Sequence, residues 1–267
     1  MTEASCYQHR PYAPFQTLLD LRGQIAVVTG GSLGIGEAVS RRLLEAGATV
    51  VVASIMEGAL DALQADFGPV HYRHCDVTRP HDIDALFDWI EAEFGRLDIL
   101  VNNAGIYPLC ATDDVTPDFF DRIIAVNLKG SFFTTQRAMR LMRAAGNGGA
   151  VVNLSSICGH KPMPNHCVYD STKGAVLAMT RNLARSGAVS GIRVNSISPG
   201  LTATPGNLAP ELFRQLSESG VLQNIPLRRA GEPSEIANAI LFLVSPMASY
   251  MTGADLLVDG GWSLHGI

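Results

Sequence analysis

The sequence predicts a single α/β domain built on one doubly wound parallel sheet of about seven strands. From Gln24 onward, short runs rich in β-branched residues alternate with longer segments of helical periodicity. The runs are apolar throughout, which is typical of strands that are buried on both faces of a parallel sheet. No repeat, low-complexity tract or linker interrupts this order. The prediction is therefore one domain over residues 21–267, preceded by a short tail over residues 1–20.

The elements follow one another with clear boundaries. The first strand, residues 25–28, leads through a glycine-rich turn into a helix over 35–45, and Gly47 ends that helix. The other predicted strands are 49–52, 70–75, 97–101, 150–154, 193–197 and 255–258. The other predicted helices are 57–67, 82–94, 117–144, 168–189 and 233–244, with Thr116 as N-cap and Pro117 as first residue of the long one. Residues 199–231 are expected to be irregular.

Composition limits the classes of function. Charged residues make up 17% of the 267 residues, and apolar residues make up 47%; such a low charge content favours some surface being buried between subunits. A net charge of −5 argues against nucleic acid or an acidic membrane as the partner. Neither a transmembrane span nor a secretory signal is expected, because no apolar run is long enough. Five cysteines without a C-x-x-C pair favour reduced thiols in a cytoplasmic protein.

A glycine-rich turn lies where a nucleotide would bind. Residues 29–36 read Thr-Gly-Gly-Ser-Leu-Gly-Ile-Gly and connect the first strand to the first helix. Glycines allow the backbone to approach a pyrophosphate, and the start of the helix offers free N–H groups to it. The glycine spacing is not G-x-G-x-x-G. What favours nucleotide binding is therefore the position of the turn between the first strand and the first helix. Asp76 and Asn103 close the third and fourth strands at the same edge of this Rossmann-type sheet, where a ligand is expected.

A phenol and an ammonium are expected on one face of the helix over 168–189. Tyr169 and Lys173 are four residues apart, so they lie one turn above the other. The positive charge of Lys173 is expected to favour the phenolate of Tyr169. Ser156, thirteen residues before Tyr169, could hold a carbonyl oxygen beside the phenol, and Ser155 is a rival for that role. Such a group moves protons to and from an alcohol or ketone.

These motifs together resemble the short-chain dehydrogenase/reductase family, in its single-domain form, over about residues 22–262. The resemblance is carried by Thr29-Gly30-x-x-x-Gly34-x-Gly36, Asn102-Asn103-Ala104-Gly105, Asn127, Ser156, Tyr169-x-x-x-Lys173 and Pro199-Gly200. It implies a catalytic set in which Tyr169 is the acid/base, Ser156 binds the reacting oxygen, Lys173 also binds the nicotinamide ribose, and Asn127 holds a water of a proton relay. The cofactor-binding residues that it implies are Gly30, Ser32, Leu33, Gly34, Ile35, Gly36, Ser54, Asp76, Val77, Asn103, Ala104, Gly105, Tyr169, Lys173, Pro199, Gly200, Thr202 and Thr204.

The sequence leaves the cofactor open between NAD and NADP. The position for a ribose-binding carboxylate, at the end of the second strand, is Ser54, followed by Ile55. Without a carboxylate there, the 2′-phosphate of NADP is not repelled. Neither Leu33 nor Ile55 supplies the arginine or lysine that NADP-preferring relatives often carry.

The substrate is expected to contact residues 106–110, 158–166 and 200–222, the last resembling a flap that closes over substrate. His160, Asn165 and His166 would make this pocket polar, which favours a sugar or polyol. No metal site is expected from Cys158, His160, His166 and Cys167, because zinc requires converging ligands and this segment is predicted to line the pocket. The resemblance also implies a homodimer or homotetramer formed through the helices over 117–144 and 168–189 and the last strand.

Two other functions remain open. One is reduction of 3-oxoacyl groups on an acyl carrier protein, for which a basic docking patch is expected. The other is a non-catalytic, nucleotide-sensing regulator, which would be expected to lack part of the set Ser156, Tyr169 and Lys173. The preferred interpretation is an NAD(P)-dependent enzyme that interconverts a secondary alcohol and a ketone.

Overall fold

The computed structural model describes residues 13–204 and 220–264, which form one parallel sheet covered by helices on both faces. The seven strands lie in the order β3-β2-β1-β4-β5-β6-β7. The strands are β1 Ile25–Thr29, β2 Thr49–Ser54, β3 His71–His74, β4 Ile99–Asn102, β5 Gly149–Leu154, β6 Ile192–Pro199 and β7 Asp255–Val258. The helices are α1 Gly34–Glu45, α2 Leu60–Phe67, α3 Pro80–Phe94, α4 Pro117–Ile124, α5 Ser131–Ala145, α6 Cys167–Ala188 and α7 Pro233–Val244. The predicted doubly wound α/β fold is confirmed.

The strand order places a crevice at one edge of the sheet. β1 pairs in parallel with β2 on one side and with β4 on the other. The chain moves outward from β1 to β3, then returns past β1 to begin β4. The connections that leave β1 and β4 therefore diverge, and ligands bind at such switch points outside the carboxyl ends of the strands.

The sheet is buried on both faces, as its uniformly apolar strands predict. Ala26 and Val28 of β1 contribute to the core beneath α1 and α7, whereas Val27 contributes to the opposite core beneath α3 and α5. All three residues are 0% exposed. Successive side chains of one strand thus fill two cores, so no polar position interrupts the strand.

The long helix predicted over 117–144 is interrupted by a π-helical turn, Ala125–Gly130, between α4 and α5. Its start is as predicted: Pro117 is the first residue of α4, and the Thr116 hydroxyl accepts a hydrogen bond of 3.2 Å from the Phe119 N–H. The wider turn coincides with the close approach of Gly130 to Val77, where an added Cβ would lie 2.8 Å from Val77 Cγ2. π-helical turns are frequent at functional sites, and this one contains Asn127.

Other predicted boundaries differ by a few residues. α3 begins at Pro80 rather than residue 82, because proline is tolerated in a first helical turn. α2 begins at Leu60 rather than 57, and β4 covers Ile99–Asn102 rather than 97–101. Within the described residues, no helix combines the length and apolar character needed to cross a membrane.

Candidate active site

A cleft of about 1000 Å³ runs along the carboxyl ends of the strands. It extends from the loop after β1, past the ends of β2 to β5, to the segment after β6. The sequence-predicted residues that line it are Gly30, Ser32, Leu33, Gly34, Ile35, Ser54, Asp76, Val77, Asn103, Ala104, Gly105, Ser156, Tyr169, Lys173, Pro199, Gly200, Thr202 and Thr204. Gly36 and Asn127 lie behind its wall: both are buried, and Asn127 is 1% exposed.

The glycine-rich turn has the shape of a dinucleotide cradle. Gly30 and Gly34 have φ values of +61° and +58°, a region that side chains other than glycine rarely adopt. Leu33 precedes α1 and makes no side-chain cap, so the first N–H groups of that helix remain available to a phosphate. Gly36 supports the turn from behind, since a Cβ there would lie 2.1 Å from the Gly30 carbonyl oxygen. The residues present therefore fit the pyrophosphate of a nicotinamide dinucleotide.

Hydrogen bonds fix this cradle to the end of β4. The Thr29 hydroxyl accepts from the N–H groups of Asn103, at 3.0 Å, and Ala104, at 3.1 Å. The Asn103 side-chain amide donates to the carbonyl oxygens of Thr29 and Gly30, each at 3.0 Å. Asn103 thus lines the cleft and also bonds to the glycine-rich turn. These bonds fix the distance between the ends of β1 and β4.

Polar groups at the ends of β2 and β3 close the other end of the cleft. Ser54 is 6% exposed, and its hydroxyl accepts from the Ser32 hydroxyl at 2.9 Å. Asp76 Oδ1 accepts from the N–H and the hydroxyl of Thr78, at 2.9 and 2.7 Å. Burial opposes the charge of Asp76, but the bonds from Thr78 outweigh it and lower the pKa of this carboxyl. Asp76 therefore stays ionised at neutral pH, and its Oδ2 lies 3.5 Å from Arg79 Nε.

Ser156 and Tyr169 are brought together at the centre of the cleft. Ser156 follows β5, and its hydroxyl accepts from the Cys158 N–H at 3.1 Å. The same hydroxyl lies close enough to the Tyr169 phenol to act on its pKa, which it lowers. Ser155, the rival for the serine role, instead donates to the main-chain carbonyl of Lys173 at 2.9 Å. Of the two candidate serines, Ser156 is therefore the one that lies beside the phenol, and Ser155 secures α6 to β5.

Lys173 lies beneath the phenol. Its ammonium is 5.5 Å from the centre of the Tyr169 ring and donates to the Leu154 carbonyl at 2.8 Å. The side chain is 5% exposed. An added Cβ on Gly105 would lie 3.7 Å from Lys173 Nζ, so the Gly105 backbone passes directly over the ammonium.

The pKa of Tyr169 differs from the sequence-based expectation. Burial raises the pKa of the phenol above its usual value, and the nearby Ser156 hydroxyl opposes this only in part. Burial also lowers the pKa of Lys173 to about 8. Burial therefore outweighs the expected effect of Lys173 on the phenol, because desolvation acts against the charged form of both groups.

Asn127 holds backbone in place. Its side chain accepts from the Ile106 N–H and donates to the Ile106 carbonyl, both at 2.8 Å. It also donates to the Thr172 hydroxyl at 3.3 Å. This set of bonds joins the π-helical turn, the segment after β4 and α6, which are three walls of the site.

The substrate end of the cleft is more apolar than predicted. Of the three polar residues expected there, only His166 lines the cleft. His160 lies instead 2.8 Å from Asp255 Oδ2, beside β6 and β7. Asn165 is exposed, with a φ of +62° and its carbonyl bound to the Cys110 N–H at 3.0 Å. Other residues of the segment after β4, the segment before α6 and the chain beyond residue 220 line the same cleft: Ile106, Tyr107, Leu109, Met163, Pro164, Val221 and Trp262. Residues 205–219 of the predicted flap lie outside the described residues.

Sequence reasoning missed three polar or aromatic groups near the cleft. Arg122 of α4 and Trp262, beyond β7, both line it, and neither belongs to a recognisable motif. Asp170 is the third: its Oδ2 accepts from the Met163 N–H at 2.9 Å. Asp170 could have been predicted from the sequence as the acidic residue in the first turn of α6, because carboxylates are favourable near a helix N-terminus.

The family model described as enoyl-(acyl carrier protein) reductase matches residues 30–263. A 3β-hydroxysteroid dehydrogenase of Eggerthella lenta is 38% identical over 257 residues, covering 92% of this chain and 96% of that protein. A crystal structure of a short-chain type dehydrogenase/reductase from Mycobacterium marinum superposes with a TM-score of 0.84 at 37% identity, covering 92% of this chain and 98% of that one. A candidate 2-deoxy-D-gluconate 3-dehydrogenase from Agrobacterium tumefaciens, solved with bound NADP, has a TM-score of 0.84 and 35% identity over the same shares.

Proposed function

The chain belongs to the short-chain dehydrogenase/reductase family, and on that premise we propose that it interconverts a secondary alcohol and a ketone carried on an apolar carbon ring. Its relatives are named dehydrogenases, and members of the family use NAD or NADP. The observation that carries the proposal is the contact of Ser156 with Tyr169 above the buried Lys173, in the same cleft as the glycine cradle.

The chain's own residues account for binding of the alcohol and movement of its proton. The Ser156 hydroxyl holds the reacting oxygen and stabilises charge that develops there. The Tyr169 phenol accepts the proton of the alcohol in oxidation and donates it in reduction. Lys173, held by the Leu154 carbonyl, would bind the nicotinamide ribose, and its positive charge would stabilise a phenolate. The nicotinamide ring supplies the hydride acceptor or donor, and in its oxidised form a positive charge that favours the phenolate.

The apolar walls support the choice of a ring substrate. Ile106, Leu109 and Met163 line the cleft, whereas two of the three polar residues that favoured a sugar, His160 and Asn165, do not. Apolar side chains bind a hydrocarbon ring by removing it from water, and they leave the hydroxyls of a sugar unpaired. The names of the relatives include both a steroid and a sugar acid, so the choice of a ring alcohol in this proposal rests on the apolar walls of this chain.

A panel of alcohols tests the proposal. Cyclohexanols, cyclopentanol, hydroxysteroids, polyols, aldoses and a 3-hydroxyacyl thioester would each be offered with NAD and with NADP, and nicotinamide absorbance recorded. We expect the highest kcat/KM for an alicyclic or steroid alcohol. Preference for a sugar would contradict the substrate proposal, preference for the thioester would favour the acyl carrier reductase, and no turnover of any substrate would favour the regulator.

The pH dependence should differ between the two directions. Because burial raises the pKa of Tyr169, the phenol is protonated at neutral pH. Reduction uses that form, so its kcat/KM is expected to be flat between about pH 6 and 8, while oxidation rises toward alkaline pH by up to about tenfold per unit. Initial rates in both directions, measured in one constant-ionic-strength buffer series, check this. An oxidation rate independent of pH would show that loss of the Tyr169 proton does not limit the reaction.

Discrimination between the cofactors should depend on Ser54, at the end of β2. We propose that both nucleotides bind, because Ser54 offers only a hydroxyl there. Ser54→Asp is expected to raise the dissociation constant of NADPH at least about tenfold through charge repulsion, while NADH binding is kept or tightened. Fluorescence titrations of both nucleotides check this, with Ser54→Asn as the neutral control of similar size. Equal weakening of NADH and NADPH by Ser54→Asp would show that the 2′-phosphate does not lie near residue 54.

An apolar surface supports a homo-oligomer. It lies on α4, the π-helical turn, α5 and α6, and is lined by Ile124, Leu128, Lys129, Phe132, Phe133, Ala175 and Met179. Phe132 is 38% exposed, and a contiguous apolar surface of this kind commonly marks an interface. We infer a dimer or tetramer formed through this face, which sedimentation velocity of the purified protein would measure.

A further inference from the structure

Beside Tyr169, the structure gathers three side chains whose chemistry suits a metal ion. Cys158 follows β5, while His166 immediately precedes α6 and Asp170 lies in its first turn. One ligand atom of each lies within 4.8 Å of the others. The sequence predicts no metal at Cys158, His160, His166 and Cys167, because the segment is expected to line the pocket and not to bring ligands together. In the fold, His160 lies away from this cluster and contacts Asp255. Asp170 takes its place as the third possible ligand.

Two buried atoms of this cluster make no hydrogen bond. His166 Nδ1 and Asp170 Oδ1 are shielded from solvent, and neither finds a partner among the residues that the structure describes. Buried polar atoms are nearly always satisfied, so an unpartnered pair within one cluster indicates a missing ligand. The other carboxylate oxygen of Asp170 is already held by the Met163 N–H at 2.9 Å, which fixes the orientation of the side chain.

We propose that Cys158, His166 and Asp170 form a three-ligand site for zinc, or a similar divalent transition-metal ion, in the wall of the substrate cleft. A thiolate, an imidazole and a carboxylate are the ligands that zinc uses in proteins, and three of them leave its fourth position open. Tetrahedral zinc requires ligand atoms about 3.5 Å apart, so small side-chain rotations must bring the three together. Zinc is held by the thiolate, so binding would release the proton of the half-buried Cys158 thiol.

The bound ion regulates access to the phenol. The His166 ring lies 5.8 Å from the Tyr169 ring, centre to centre, and both Cys158 and His166 line the cleft. An ion bound between Cys158 and His166 would place its fourth coordination position, and its positive charge, in the cleft beside the phenol. Zinc therefore inhibits by excluding the substrate. This inhibitory role rests on the proposed dehydrogenase function, whereas the metal site itself does not.

Cobalt titration of the untagged, reduced, full-length protein tests the site without substrate or nucleotide. We expect one equivalent of Co²⁺ to produce a thiolate-to-cobalt charge-transfer band and the intense visible bands of tetrahedral cobalt, both abolished by added Zn²⁺. Cys158→Ser should remove the charge-transfer band, and Asp170→Asn and His166→Gln should weaken binding at least about tenfold. Cys167→Ser, which changes an exposed neighbouring thiol, should keep the full spectrum. Absence of the band in the parent protein, or its persistence in Cys158→Ser, overturns the proposal.

Inhibition is then measured separately. With the best substrate of the panel, each variant's rate at increasing Zn²⁺ is expressed relative to its own metal-free rate. Cys158→Ser should raise the inhibitory zinc concentration at least about tenfold, and Cys167→Ser should not change it. Equal sensitivity of all variants overturns the inhibitory role even if cobalt binds. If the protein turns over an alcohol but does not bind cobalt, the proposed dehydrogenase function is supported and the proposed metal site is excluded.

Discussion

Replacing Tyr169 with phenylalanine is expected to abolish hydride transfer while leaving nucleotide binding intact. The substitution removes only the hydroxyl that lies near Ser156 and that we propose exchanges a proton with the substrate. Positioned acid/base groups contribute about 10²–10⁴-fold to a rate, so kcat is expected to fall at least about a thousandfold in both directions. Stopped-flow measurement of nicotinamide absorbance would record the loss, and NADH fluorescence would give the dissociation constant, expected within about twofold of the parent value.

A matched substitution separates chemistry from damage to the fold. Tyr250→Phe makes the same change at a fully exposed position, 103% accessible, and should leave rate and binding unchanged. The thermal midpoint of Tyr169→Phe should stay close to that of the parent, since one hydrogen bond contributes about 1 kcal/mol. Near-normal turnover by a folded Tyr169→Phe protein would exclude the phenol as the acid/base.

Gly36→Ala should eliminate nucleotide binding through the shape of the cradle alone. The added Cβ would meet the Gly30 carbonyl oxygen at 2.1 Å and the Asn103 side-chain nitrogen at 2.4 Å. Neither atom can withdraw freely, because the two are hydrogen-bonded to each other at 3.0 Å. The turn must therefore shift, at a cost of about 1–3 kcal/mol in stability, and the dissociation constants of NADH and NADPH are expected to rise at least about a hundredfold.

Gly174→Ala provides the contrast, because it makes the same change in α6 where there is room. The nearest atom to its added Cβ is the Gly159 carbonyl oxygen, at 3.8 Å, an ordinary contact. Alanine favours a helix over glycine by about 0.5–1 kcal/mol, so this variant should bind nucleotide normally and unfold at a slightly higher temperature. Fluorescence titration and urea unfolding of both variants check the pair. Normal nucleotide binding by Gly36→Ala would show that the cradle tolerates a side chain.

The sequence predicted the sheet, its helices and most of the cleft because these depend on local patterns. Apolar runs determine buried strands wherever they occur, and parallel strands bring their carboxyl ends to one edge. The glycine-rich turn, Ser156, Tyr169 and Lys173 all lie in that cleft. Their spacing in the chain was sufficient, since each follows directly from the strand or helix that carries it.

The features that the sequence did not predict depend on partners far away in the chain. The π-helical turn occurs where Gly130 meets Val77. His160 leaves the cleft because Asp255, which is 95 residues later, binds its ring. The pKa of Tyr169 could not be predicted from Lys173 alone, because the desolvation that raises it comes from the whole surrounding wall.

The bonds between α6 and β5 have a consequence for altering what the enzyme accepts. Lys173 donates to the Leu154 carbonyl, and Ser155 donates to the Lys173 carbonyl, at 2.8 and 2.9 Å. Ser156, Tyr169 and Lys173 are therefore held in one unit, which consists of α6 and the end of β5. The facing wall is held by its backbone, because Asn127 bonds both main-chain groups of Ile106, while the side chains of Tyr107 and Leu109 are 46% and 62% exposed. Directed evolution confined to residues 106–110 should therefore change which alcohols fit while leaving the proton-transfer distances as they are.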